Sequence, residues 1–150
     1  MVISIMQARM GSKRLPGKVL KTIKGKTLLE LYLNRIKPSK LINKIVVATT
    51  DLEQDNKIEE LVVRLGFECF RGSEKDVLDR YHVCAKKHNA DIIVRCTGDC
   101  PLVDPVIIDK TIHLLLDREA SFAANTVPPD KRSFPEGSDV EVFTMEALER

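Results

Sequence analysis

The chain has no tryptophan, and only 5% of its 150 residues are aromatic. Proteins that hold single-stranded nucleic acid stack its bases on aromatic side chains, so that class is poorly supplied here. No run of about 18 uncharged apolar residues occurs, which excludes a membrane-spanning helix. No basic segment precedes Met1-Val2-Ile3-Ser4-Ile5-Met6, and Arg9 follows closely, so a secretory leader is not expected. Cys-x-x-Cys is also absent: Cys69, Cys84, Cys96 and Cys100 are spaced otherwise, and three of the four lie in or beside apolar runs. Reduced structural thiols, and hence a cytoplasmic protein, are expected.

Acidic residues are nearly missing from the front of the chain. Through residue 44, eleven lysines and arginines face the single acid Glu30, a net +10; with +2 overall, the remainder carries −8. A basic front half suits nucleic acid or a small polyanion such as a triphosphate, and the scarcity of aromatics favours the polyanion. What is present is ordinary for a soluble globular protein: 43% hydrophobic and 31% charged residues, in a length sufficient for one domain with its own core.

Residues 2–7 form a short apolar run that predicts a buried first strand. Residues 8–18 are rich in glycine and cations, hence a loop. Leu28, Leu29, Leu31, Leu33 and Ile36 predict a helix over 27–36, with Pro38 beyond its end. The β-branched run 44–50 predicts a second strand. Asp51 or Asp55 is placed to cap a helix that Gly66 stops. A third strand over 67–70, a helix over 74–88 and a fourth strand over 91–96 follow. Pro105 opens a helix reaching 116. Strands over 121–125 and 140–143 flank a loop over 126–137, and Thr144 caps a last helix. Strands alternating with helices predict an α/β, Rossmann-like, mostly parallel sheet flanked by helices. Such sheets bind ligands beyond the carboxyl ends of their strands, where the strand order switches. Residues 8–18, 49–51 and 97–104 would converge there.

The first loop reads Ala8-Arg9-Met10-Gly11-Ser12-Lys13-Arg14-Leu15-Pro16-Gly17-Lys18. Glycine lets backbone N–H groups approach phosphate oxygens, Ser12 adds a donor, and the four cations neutralise charge. It is not a Walker A loop: five residues separate Gly11 from Gly17, and Val19 stands where Ser or Thr would hold magnesium. Nor is it a Gly-x-Gly-x-x-Gly fingerprint. On its residues alone it is either a polyanion site or a solvated basic loop.

This loop resembles the signature of the cytidylyltransferases that make CMP-activated acidic sugars, the CMP-sialate and CMP-KDO synthetases. The likeness is greatest to the branch named for spore coat polysaccharide biosynthesis. Four further blocks follow in the family's order: Val46-Val47-Ala48-Thr49-Thr50-Asp51, the stretch from Arg71-Gly72-Ser73-Glu74 to Asp79-Arg80-Tyr81, Thr97-Gly98-Asp99-Cys100-Pro101 through Pro105, and Pro135-Glu136-Gly137-Ser138-Asp139-Val140-Glu141-Val142-Phe143.

The resemblance implies a nucleotide-binding domain over residues 1–150, of the GT-A type nucleotide-diphospho-sugar transferase fold. It also implies a reaction, attack of a sugar hydroxyl on the α-phosphorus of CTP with magnesium assisting. Arg9, Ser12, Lys13 and Lys18 would contact the phosphates, with Gly11 in the same loop and the Ala8 backbone beside the cytosine. Arg14 faces either the phosphates or solvent. Asp99 would be a magnesium ligand, and Arg9, Lys18 and Asp99 would carry catalysis; Asp104 is read as a helix cap. Arg71, Ser73, Asp76 and Asp79 match the block bordering base and sugar, although Asp76 and Asp79 also suit a solvated helix start. Asp139 and Glu141 alternate on one strand and would face the sugar. His82, His88 and His113 are read as surface or packing residues. Relatives generally continue further, so a C-terminally truncated domain is expected, one that lacks a second acidic motif, part of the sugar pocket and common dimer contacts, keeps nucleotide binding and is weak or inactive in transfer on its own. The partners implied are CTP, an acidic sugar and a second copy as homodimer, with no nucleic acid or membrane. Use of another nucleotide, and a non-enzymatic nucleic-acid module, are the alternatives.

Overall fold

The computed structural model describes residues 1–12, 14–98, 100–126 and 133–150, with the backbone alone at Cys96. The first strand, β1 (Val2–Gln7), lies inside a six-stranded sheet because both of its faces are apolar. Ile3 and Ile5 pack on one side and Met6 on the other, all fully buried. β4 (Lys44–Thr50) and β6 (Ile92–Thr97) flank β1 in parallel, and β5 (Glu68–Gly72) continues the parallel set beyond β4. β8 (Glu141–Thr144) runs antiparallel to β6, and β7 (Phe122–Ala124) closes the edge antiparallel to β8. The order is β5-β4-β1-β6-β8-β7. A mostly parallel sheet is therefore present; pairing of the two last strands in the opposite direction was not part of the expectation. A short hairpin, β2 (Thr22–Ile23) with β3 (Lys26–Thr27), is a further addition, turned by Lys24 and Gly25 at φ 50° and 81°.

Helices α1 (Leu28–Ile36), α2 (Asn56–Arg64) and α4 (Pro105–Asp117) cover one face of the sheet; α3 (Val77–Lys87) and α5 (Met145–Glu149) cover the other. Their starts follow local chemistry. The side chains of Thr27, Asp76, Asp104 and Thr144 each accept a hydrogen bond from a first-turn N–H. The Asp76 cap is why α3 begins at 77 rather than 74. Asp55 departs from its expected role: it stands before α2 but makes no side-chain cap. Among the described residues no helix is long and apolar enough to cross a membrane.

Cys69 and Cys84 carry free thiols, and burial pushes both up to about 12. His88, with only 9% of its side chain exposed and Nδ1 3.7 Å from Glu68, is a packing residue at the end of α3. Burial lowers its pKa below 6.5, outweighing the opposing charge of Glu68. The unfolded chain then binds the proton more readily. The stability His88 contributes is fully present above pH 6.5 and is lost as pH falls below it. Thermal melts from pH 7.5 to 5.5 should show a declining midpoint, and His88→Gln should flatten that decline; an unchanged slope would remove His88 from the account.

Candidate functional site

The chain runs from β1 outward to β4 and β5, then returns to β6 on the other side of β1. The switch in strand order thus falls between the carboxyl ends of β1 and β6, where parallel sheets open a crevice. A cavity of about 340 Å³ lies there. Ala8, Arg9, Ser12, Arg14 and Lys18 line it from the first loop; Arg95 and Thr97 line it from β6 and Gly98 from just beyond that strand. Among its described lining residues the charged groups are all cations. Such a cavity attracts a polyanion.

The loop is shaped from beneath. Met10 is its pivot: its carbonyl accepts the N–H groups of Ser12 and Gly17, both at 2.9 Å. The Met10 N–H donates to Oδ1 of Asp55 at 2.7 Å, and the Thr50 hydroxyl donates to Oδ2 of the same carboxylate. Asp55 is fully buried, so it ties the loop to the end of β4 from inside the protein. Gly17 turns the chain at φ 66°, a conformation costly for other residues. Val19, at the position a Walker loop gives to a metal-binding hydroxyl, is buried in the core. Just past β6, Gly98 allows a close approach to the end of β1: its N–H donates to the Gln7 carbonyl at 3.1 Å, and a Cβ would stand 3.1 Å from that oxygen.

A second cavity of about 410 Å³ adjoins the first and shares Arg14, Arg95 and Thr97 with it. Glu136, Asp139 and Glu141 supply its carboxylates. Arg95 donates from Nη1 to Oε2 of Glu141 at 2.5 Å across the β6–β8 pair, where the two residues are register partners. Burial works to lower the pKa of the Arg95 guanidinium, but the hydrogen bond and charge of Glu141 outweigh it and hold it above its ordinary value.

Ala8, Arg9, Ser12 and Lys18 are therefore brought to one cavity, and Asp139 and Glu141 to its neighbour. Arg14, open between phosphates and solvent on sequence grounds, lines both. Arg9 is further oriented by Glu74, 3.1 Å from its Nη1. Gly11 sits in the loop facing Gln54. Lys13 and Asp99 lie outside the described residues.

Arg71, Asp76 and Asp79 are not brought to the crevice. Arg71 clamps the end of β5 to the β4–α2 connection: Nε donates to the Thr50 carbonyl, Nη1 to Asn56 and Glu59, and Nη2 to the Leu52 carbonyl. Asp76 is occupied as the α3 cap, its own N–H held by Ser73 Oγ. With Asp79 it lines a shallow groove between α3 and α5. Asp104 caps α4, as read.

Sequence reasoning missed Arg95 and Arg80, and the loop-anchoring role of Asp55. For Arg95 a signal existed: it alternates with Thr97, so both face the same side at the open end of β6. Arg80 falls on the apolar stripe of α3 beside Tyr81 and Cys84 and is fully buried. It donates to the Ser73 carbonyl, while its Nε and Nη2 have no partner among the described residues. Burial lowers its pKa.

Residues 3–145 match the family described as cytidylyltransferase. The spore coat polysaccharide biosynthesis protein SpsF of Bacillus subtilis is 39% identical over 125 residues, covering 81% of this chain and 52% of that protein. A 3-deoxy-manno-octulosonate cytidylyltransferase of Pelobacter propionicus is 34% identical over 118 residues, covering 77% and 45%. The solved structure of a cytidylyltransferase from Leptospira borgpetersenii is 43% identical with a TM-score of 0.91, covering 99% of this chain and 62% of that one. The chain spans about half the length of the curated relatives it matches.

Proposed function

Because the chain belongs to the cytidylyltransferase family, we propose that it binds CTP in the cationic cavity and transfers CMP to an acidic sugar, with magnesium, in cell-surface polysaccharide biosynthesis. The observation that carries this reading is the cavity at the strand-order switch, whose described charged lining is wholly cationic and comes mostly from the signature loop. Relatives named for spore coat polysaccharide biosynthesis and for 3-deoxy-manno-octulosonate support the substrate class. The unbridged thiols suit a cytoplasmic site for the reaction.

In this reaction a sugar hydroxyl oxygen forms a bond to the α-phosphorus, the bond from that phosphorus to the bridging oxygen of pyrophosphate breaks, and the hydroxyl proton passes to solvent. The protein's share is positioning and charge neutralisation. Arg9, Ser12 and Lys18 hold the phosphates, with Lys13 from the same loop. Arg14 spans the joint with the second cavity, where Asp139 and Glu141 take sugar hydroxyls. Arg9 and Lys18 stabilise the negative charge that builds on the leaving pyrophosphate. Oxygen donors of the kind a hard cation takes are at hand in Asp139 and Glu141, beside the phosphate cavity. Among the described residues no three ligating side chains form a cage, and magnesium needs only one or two carboxylates together with substrate phosphates. Asp99 is our choice for its ligand; the ion would neutralise phosphate charge.

Two measurements test this. Pyrophosphate release from CTP should require 3-deoxy-manno-octulosonate or another acidic sugar, and release with UTP, GTP or ATP instead would reassign the nucleotide. Magnesium should tighten CTP binding several-fold in the unaltered chain, and Asp99→Asn should abolish that gain while leaving metal-free binding as it was. An undiminished gain would remove Asp99 from the metal site.

A further inference from the structure

One ion pair stands at the joint between the two cavities. Arg95 lines both cavities, yet its guanidinium is engaged by Glu141, which lines only the second. The pair is half-open to solvent, with 38% of the Arg95 side chain and 27% of the Glu141 side chain exposed. A pair that is not sealed from water can be exchanged at small cost, because neither partner is left buried and unpaired. On one side of it stands a cavity whose described charges are all positive; on the other stand three carboxylates.

We propose that Arg95 is a phosphate ligand outside the signature loop, held by Glu141 until a nucleotide triphosphate takes the guanidinium from it. The inference rests on the CTP reading and adds to it a residue and an order of events. A triphosphate presents several charges and paired oxygens to a planar guanidinium, against one carboxylate, so it wins the competition. Arg95 need not travel far, since it already lines the phosphate cavity. Once released, the Glu141 carboxylate accepts a hydrogen bond from a sugar hydroxyl on the acceptor side of the joint. Filling the first cavity thereby prepares the second, and the coupling is reciprocal.

The test is calorimetric titration of CTP in the presence of a chelator, with the unaltered chain, Arg95→Gln, Glu141→Gln and the double variant. Arg95→Gln should weaken CTP by about tenfold, the loss of one charge-assisted contact. Glu141→Gln should tighten CTP by roughly threefold or more, because the competing charge is gone while the side-chain shape is kept. In the Arg95→Gln background Glu141→Gln should change nothing, the non-additivity expected of a contacting pair. A gain in affinity cannot arise from misfolding. If the unaltered chain binds CTP but Glu141→Gln weakens it or leaves it alone, the pair is structural and the inference is overturned. If the unaltered chain binds no CTP, the nucleotide reading itself falls.

Discussion

Replacing Lys18 by alanine should weaken CTP binding by roughly 10- to 150-fold. That range is the ~1.5–3 kcal/mol of a hydrogen bond to a charged group, converted at about 1.4 kcal/mol per tenfold. The expectation follows from how the chain places this lysine. Gly17 reverses direction at positive φ, and Lys18 then opens a short 3-10 helix, its N–H on the Leu15 carbonyl at 3.2 Å. Val19 is anchored in the core, so the backbone on both sides of Lys18 is fixed while its side chain lines the cavity. Calorimetry at constant salt reads the effect, with circular dichroism to check folding. A loss below threefold would mean that Lys18 is a bystander. Lys18→Arg should recover only part of the affinity, because a guanidinium differs from an ammonium in shape and hydration.

Asp55→Ala is expected to cost about 3 kcal/mol of folding stability, the upper range for breaking a buried hydrogen-bond network. The carboxylate is fully buried and joins the Met10 N–H to the Thr50 hydroxyl. Alanine leaves both donors without this acceptor. Thr50 Oγ1 also accepts the Leu52 N–H, so the loss spreads into the β4–α2 connection that Arg71 clamps from the other side. Because Met10 also pivots the signature loop, CTP affinity should fall together with stability. Asp55→Asn keeps one acceptor oxygen and should cost less than half as much. Urea unfolding measures both; a loss under about 1 kcal/mol in the alanine variant would show that the loop does not depend on this anchor.

The parts of this protein that could be read from its sequence are those written in neighbouring residues. The spacing of Leu28, Leu29, Leu31, Leu33 and Ile36 before Pro38 located α1, and Asp104 with Pro105, and Thr144, located α4 and α5 because they act within a turn of where they stand. The doubly buried β1 announced itself as an apolar run. The direction of β8 and β7 was not legible, since strands of four and three residues are too short to show a continuous or alternating apolar pattern and only the long-range partner decides. The site divides in the same way. Arg9, Ser12 and Lys18 sit in one contiguous loop. Arg71 illustrates the opposite case: its sequence block suggested a ligand contact, but the preference of a guanidinium for several acceptors at once turned it toward Asn56, Glu59 and two carbonyls. Asp55 has the side chain of a cap and stands at a helix start. Its burial beneath Met10, which decides its role, depends on residues 45 positions away.

We read the cavity at the β1–β6 switch as a CTP site. Titrating the chain with CTP, UTP, GTP and ATP under identical magnesium and salt tests it most directly, with a single-stranded RNA as the fifth ligand. Saturable one-to-one binding of CTP is expected, at least about tenfold tighter than the other nucleotides and abolished in an Arg9→Ala, Lys18→Ala double variant. Equal affinity for all four nucleotides, or a preference for RNA that collapses steeply with salt, would contradict it.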